Sequence, residues 1–132
     1  MKQVQRISTK ALIRDGDKIL LVQEPDGKWE LPGGKPDFAE HMEGTIKREL
    51  TEELGIEAKI TGLAGQLDFV TEVTSHDTIY QFVILVFSVE IPHDNFTLSH
   101  EHTSFGWFTL PEIEKMGLKP EYIEFFRKIQ MQ

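Results

Sequence analysis

Hydrophobic and polar positions alternate, cluster and then change period along this chain. Residues 7–14 and 18–23 are rich in aliphatic side chains and flank Asp15-Gly16-Asp17, a turn signal, so they read as two strands of a hairpin. Glu24-Pro25-Asp26-Gly27 marks a second turn. Trp29-Glu30-Leu31 is a short extended piece, stopped by Pro32-Gly33-Gly34. Residues 35–41 carry no period and read as a loop. From residue 42 the period becomes helical. Ile46, Leu50 and Leu54 recur every four residues and predict a helix over 42–54, with Gly55 just past its end. Strands are predicted over 58–63, 66–73 and 78–90. The last is apolar on both alternating faces, with Ile79, Val83, Leu85 and Phe87 against Tyr80, Phe82, Ile84 and Val86, so each face needs cover. A strand over 105–110 follows, then a short helix opening at Pro111. A final helix over 121–129 offers Tyr122, Phe125, Phe126 and Ile129 to a core. Such an order predicts a mixed sheet with helices on both faces.

Composition narrows the classes. The chain has 132 residues, 39% of them hydrophobic and 27% charged, which suits a single globular domain over 1–132. It has no cysteine, so disulfides, thiolate zinc sites and cysteine nucleophiles are excluded. The expected compartment is the cytoplasm. No apolar run reaches membrane-spanning length, and the first ten residues lack an apolar signal core, so no membrane partner is expected. Net charge is -8, the wrong sign for a bare nucleic-acid surface. The expected state is a monomer or homodimer.

One stretch of the predicted helix carries unusual chemistry. At about 100° per residue, Glu49, Glu52 and Glu53 fall within roughly one third of its circumference. Each like-charge pair there costs a few tenths of a kcal/mol. A bound cation reverses that sign, and Mg²⁺ or Mn²⁺ prefer such oxygen ligands. An ordinary solvated acidic face is the alternative. The flanking residues favour a metal. Arg48 can bridge to Glu52, holding one rotamer. The Gly33-Gly34 turn permits close backbone approach, and its carbonyls suit an oxygen shell.

The spacing extends further. Gly34, Glu40, Arg48, Glu49, Leu50, Glu52, Glu53, Gly55 and Ile56 fall in the order Gly, five residues, Glu, seven residues, Arg-Glu, aliphatic, any, Glu-Glu, any, Gly, aliphatic. With the lead-in Trp29-Glu30-Leu31-Pro32-Gly33, this resembles the Nudix hydrolases over nearly the whole chain. The resemblance implies an α+β fold, a Nudix-type α/β/α sandwich around a central mixed β-sheet. It implies Mg²⁺- or Mn²⁺-dependent hydrolysis of a small nucleotide, a nucleoside diphosphate linked to a second moiety. Glu49, Glu52 and Glu53 would ligate metal or orient water, joined by the Gly33 carbonyl. Gly34, Glu40 and Arg48 would support them. The base is open between Glu49 and Glu101, which also stands as a metal ligand.

Departures bear on substrate. Gln23-Glu24 stands where many relatives have arginine, leaving Lys28, Lys35 and Lys47 as nearby cations. Phe38 and Trp29 are candidates to stack on a base, and one face of the strand bearing Tyr80 and Phe82 to floor its pocket, though core packing also explains Trp29, Tyr80 and Phe82. His41 and Thr45 replace commoner residues and are expected to stay clear of the chemistry. His100 and His102 have a spacing that zinc accepts, but read as solvated loop residues. The subfamily signatures of ADP-ribose-, NADH- and coenzyme A-cleaving relatives are absent, so the chain looks MutT-like. A nucleoside triphosphate is the expected substrate, giving a monophosphate and pyrophosphate. ADP-ribose, a nucleotide sugar or a dinucleoside polyphosphate are the rivals. A Nudix-fold module that binds without cutting is the rival of another class.

Overall fold

Alternation along three strands decides the architecture. Ile84 and Val86 enter one core with Leu12, Ile19 and Leu21. Phe87 and Val89 enter a second with Ala11, Ile13, Leu20 and Val22. A strand buried on both faces in this way reads as a near-continuous apolar run. The computed structural model describes residues 1–73 and 76–130.

The chain runs β1 (Lys2–Leu12), β2 (Arg14–Asp15), β3 (Lys18–Gln23), β4 (Trp29–Glu30), β5 (Gly33–Gly34), α1 (Met42–Leu54), β6 (Lys59–Val73), β7 (Thr78–Glu90), β8 (Ser104–Phe108), α2 (Leu110–Ile113) and α3 (Pro120–Gln130). One sheet has the order β5-β1-β7-β6. It is mixed, because β1 pairs with β7 in parallel from Lys2↔Thr78 to Leu12↔Ser88 while its other pairings are antiparallel. A second, antiparallel sheet centres on β3, with β2 and β4 along one edge and β8 along the other. Ile46, Leu50 and Leu54 of α1 fill the second core, and Tyr122, Phe125, Phe126 and Ile129 of α3 fill the first. The fold is α+β, with helical cover on both sides of the strands, as the pattern predicts.

Several elements differ from the pattern. The hairpin is confined to β2 and β3, because β1 pairs with β5 and β7 instead, and the strand expected to 110 ends at Phe108, just ahead of α2. The strands expected at 58–63 and 66–73 are one strand, β6. The interruption is absorbed by register shifts between Ile60 and Gly62 and between Leu63 and Gly65. Glycine at 65 has a physical reason: its φ is +156°, and a Cβ there would lie 2.9 Å from the Phe125 ring of α3. β1 also begins at Lys2, earlier than its apolar pattern, because pairing with β7 continues outward over polar residues.

Candidate active site

Two glycines seat helix α1 against the sheet edge. β5 pairs with β1 through Thr9↔Gly34 and Lys10↔Gly33. A Cβ on Gly33 would come within 2.2 Å of the Thr9 carbonyl oxygen, and its φ is +141°. A Cβ on Gly34 would meet the Glu49 carboxyl at 2.5 Å. The glycine turn therefore lies directly on the carboxylates of α1.

Those carboxylates occupy three different environments. Glu53 is only 2% exposed and accepts a hydrogen bond from the Gly33 N–H at 3.2 Å. Burial pushes its carboxyl up to about 9, reinforced by the adjacent Glu49 and opposed by Lys10. Glu49 is half-buried, with Oε1 accepting from Arg48 at 3.0 Å. Glu52 is the outermost, its side chain 58% exposed and 3.4 Å from Arg48.

Arg48 organises the flank, although its main partner is not the Glu52 expected from helical spacing. Its guanidinium grips Glu40 with two bonds, Nε to Oε2 at 2.8 Å and Nη2 to Oε1 at 3.0 Å. It also donates to the Lys35 carbonyl at 3.3 Å. The Arg48 bonds, with those from Thr45 Oγ1 at 2.6 Å and the Asp37 N–H at 3.0 Å, hold the Glu40 carboxyl down near 2. Thr45 is thus one contact from Arg48, closer to the site than its sequence position suggests. His41 precedes α1 without a side-chain cap.

Glu101 arrives from the far end of the chain. The loop after β7 is pinned along the end of α1, with the Thr97 N–H donating to the Leu54 carbonyl and the Ser99 N–H to the Glu53 carbonyl. Thr103 then bonds Gln23 of β3. The result is a cavity of about 650 Å³ faced by Gly33, Gly34, Glu49, Glu53 and Glu101. Glu52 is not on its wall.

A second cavity, of about 380 Å³, adjoins the first. Trp29, Phe69, Phe82, Met116, Leu118 and Tyr122 line it, with Lys28 at its rim. Lys10, Glu24 and Glu30 border both cavities. Of the residues expected to touch substrate, Trp29, Phe82 and Lys28 are here. Phe38 is fully exposed and borders neither cavity; nor do Tyr80 and Lys35. Phe38 lies on the loop before α1, and Tyr80 stacks on Phe82 at 5.7 Å from farther along the strand.

Sequence reasoning missed the dividing wall. Lys10 is buried and pairs with Glu30 at 3.6 Å. Burial alone pushes the Glu30 carboxyl up, but Lys10 and His102 together bring it down to about 2. His102, expected in solvent, is buried, with Nε2 3.4 Å from Glu30 Oε1 and Nδ1 without a hydrogen-bond partner among the described residues. His100 stays exposed, so the two do not form a pair. The available signal was polarity at inward positions: Lys10 shares a strand face with Ser8 and Leu12, where an apolar residue is expected.

The donor set fits a hard divalent cation. Glu49 and Glu53 present oxygens beside a glycine turn, and burial with the neighbouring Glu49 makes a charged Glu53 unfavourable, a cost that such a cation offsets. Among the described residues no three carboxylates or imidazoles already converge. An oxygen-rich cleft of this kind on an α+β fold is the type of site that metal-assisted hydrolases use.

A family model described as the NUDIX domain matches residues 4–129, and the chain belongs to that family. It is 33% identical over 127 residues to the CTP pyrophosphohydrolase of Escherichia coli, covering 91% of this chain and 86% of that protein. It is 34% identical over 102 residues to the asymmetrical bis(5'-nucleosyl)-tetraphosphatase of Mus musculus, covering 72% and 66%. The crystal structure of a MutT protein from Methanosarcina mazei superposes with a TM-score of 0.84 at 30% identity, covering 99% of this chain and 96% of that one. The chain is therefore a MutT-like Nudix hydrolase, of a family that acts on small nucleotides and generally uses divalent metals such as Mg²⁺. Among the described residues no helix is long and apolar enough to cross a membrane.

Proposed function

We propose that the protein hydrolyses a nucleoside triphosphate to a nucleoside monophosphate and pyrophosphate. One observation carries this reading: an aromatic-lined cavity of about 380 Å³ lies beside the carboxylate cavity and shares Lys10, Glu24 and Glu30 with it. A triphosphate spanning the two places its base on Phe82 and Trp29 and its phosphates beside Glu49 and Glu53. The resemblance to the E. coli enzyme supports the same substrate class.

Glu49, Glu53 and the Gly33 carbonyl, with Glu52 from the solvent side, are the residues to hold Mg²⁺ or Mn²⁺. When bound, the metal neutralises phosphate charge and lowers the pKa of water. The remaining work belongs to the chain. Glu40 and Arg48 hold Glu49 in place and tie the glycine loop to α1. A water attacks one of the two phosphorus atoms of the α–β bridge, that bridge breaks, and monophosphate and pyrophosphate separate. The water's proton passes to a carboxylate, Glu49 or Glu101, both of which face the cavity.

The test is a turnover panel with Mg²⁺ and with Mn²⁺: ribo- and deoxynucleoside triphosphates, oxidised triphosphates, ADP-ribose, nucleotide sugars and dinucleoside polyphosphates, with products resolved chromatographically. A triphosphate should have the highest kcat/KM and yield monophosphate and pyrophosphate in equal amounts. A preference for one of the other classes would move the reading to that class. Metal-dependent nucleotide binding with no turnover of anything would make the protein a binding module.

A further inference from the structure

We propose that Lys10 is the phosphate-binding cation of this cleft, contacting the substrate phosphate nearest the nucleoside. It takes a part left open by Gln23-Glu24 at the end of β3. The inference rests on the nucleotide reading above and adds to it the residue that joins nucleoside to phosphate.

Position is the first argument. Lys10 borders both cavities, and it sits opposite Gly33 in the β1–β5 pairing. A nucleotide with its base in the aromatic cavity and its phosphates beside the α1 carboxylates must pass this residue.

Charge is the second. The carboxylate cavity is faced by Glu24, Asp26, Glu30, Glu49, Glu53 and Glu101. Among the described residues Lys10 is the one lysine or arginine on its wall. A polyanion cannot approach that wall without cations, and a metal beside Glu49 and Glu53 leaves the nucleoside end uncompensated. The other lysines are less suited. Lys28 extends into solvent, 4.0 Å from Asp26, and Lys119 lies over the Phe69 ring at 5.6 Å. Lys35 and Lys47 are exposed and border neither cavity.

Unused bonding capacity is the third. An ammonium has three N–H donors. Lys10 is buried, its single ion pair to Glu30 Oε2 is long at 3.6 Å, and its ammonium donates no hydrogen bond among the described residues. The ammonium reaches the cleft, so its free N–H donors can meet acceptors that a ligand supplies there. Glu30, also in contact with His102, keeps the ammonium on the wall until the phosphate arrives.

A lysine here could instead meet a base carbonyl, and the experiment separates the two. Isothermal titration in Mg²⁺ buffer compares the four ribonucleoside 5′-monophosphates with the four matching nucleosides. The proteins are wild type, Lys10→Arg, Lys10→Met and the double variant Lys10→Gln, Glu30→Gln, each checked for folding by its melting curve. The double variant removes both charges, so it remains informative if Lys10→Met leaves Glu30 without its cation and fails to fold. The expected result is a loss of roughly tenfold to a hundredfold in monophosphate affinity for Lys10→Met and for the double variant, the size of a charged hydrogen bond. Nucleoside affinity should stay within about twofold, and Lys10→Arg should retain most of the monophosphate affinity. Unchanged monophosphate binding overturns the proposal, as does an equal loss for nucleoside and monophosphate. A wild type that binds no monophosphate and hydrolyses no triphosphate instead overturns the nucleotide reading beneath it.

Discussion

Substituting Glu53→Gln separates the protein's metal chemistry from its folding. In the metal-free protein, burial and the neighbouring Glu49 carboxyl push Glu53 up to about 9. Its ordinary value in an unfolded chain is near 4.5. Between these two values the unfolded chain releases a proton that the folded one keeps, so rising pH favours unfolding. The slope is at most about 1.4 kcal/mol per pH unit, or about 2.7 kcal/mol from pH 6 to pH 8. Glutamine imitates the protonated carboxyl: it can donate to Glu49 and accept from the Gly33 N–H, and it has no proton to lose. In chelator, Glu53→Gln should therefore match the wild type near pH 6 and exceed it at pH 8. Metal acts in the opposite sense. Mg²⁺ at a hundred times its Kd stabilises a specific binder by about 2.7 kcal/mol. That is a rise of roughly 10 °C in Tm at this chain length. Glu53→Gln should lose most of that rise, together with nearly all turnover. Urea unfolding at pH 6 and 8, with chelator and with Mg²⁺, measures each quantity. A variant less stable than the wild type in chelator at pH 8 would refute the electrostatic reasoning. A variant with the full Mg²⁺ response would refute the ligand assignment.

The glycine pair predicts a contrast. Gly33→Ala meets β1 backbone and should destabilise the fold by several kcal/mol. Gly34→Ala meets only the end of the Glu49 side chain, so stability should change by less than about 1 kcal/mol while kcat falls on the order of a hundredfold. Equal melting losses in the two would contradict this geometry. Thr45→Ala removes a hydroxyl that donates to Glu40 at 2.6 Å. It should cost about 1 kcal/mol in unfolding experiments and lower kcat more than it raises KM. An unchanged kcat would mean that the Glu40–Arg48 bonds hold Glu49 without it. For Glu101→Gln, a fall in kcat below about threefold, roughly 0.6 kcal/mol on the barrier, excludes Glu101 as the base.

The family was legible in the sequence because its box lies in one local segment with fixed spacing. A helix converts the spacing of Glu49, Glu52 and Glu53 into a shared face, and a four-residue apolar repeat says which neighbouring face is buried. Gly33 and Gly34 were readable as points of close approach because only glycine permits them. The two-faced burial of β7 followed from its apolar run in the same way. What the sequence could not order was distance across the fold. Helical spacing put Glu52 beside Arg48, but the guanidinium closes on Glu40, and Glu52 faces water. Phe38 and Trp29 both read as candidates for stacking, with core packing the alternative for Trp29, yet Phe38 is on an exposed loop and Trp29 lines the pocket.

Lys10, Glu30 and His102 lie far apart in the chain and belong to no local repeat. Each alone reads as an ordinary polar residue. Only the pairing of β1 with β5 and β7, and the docking of the loop after β7 onto α1, brings them to one wall. The sequence by itself determined the family, through a box whose spacing puts three carboxylates on one helix. Tertiary structure decided what surrounds them, because the charge and shape of a pocket are sums over residues that meet only when distant segments pack.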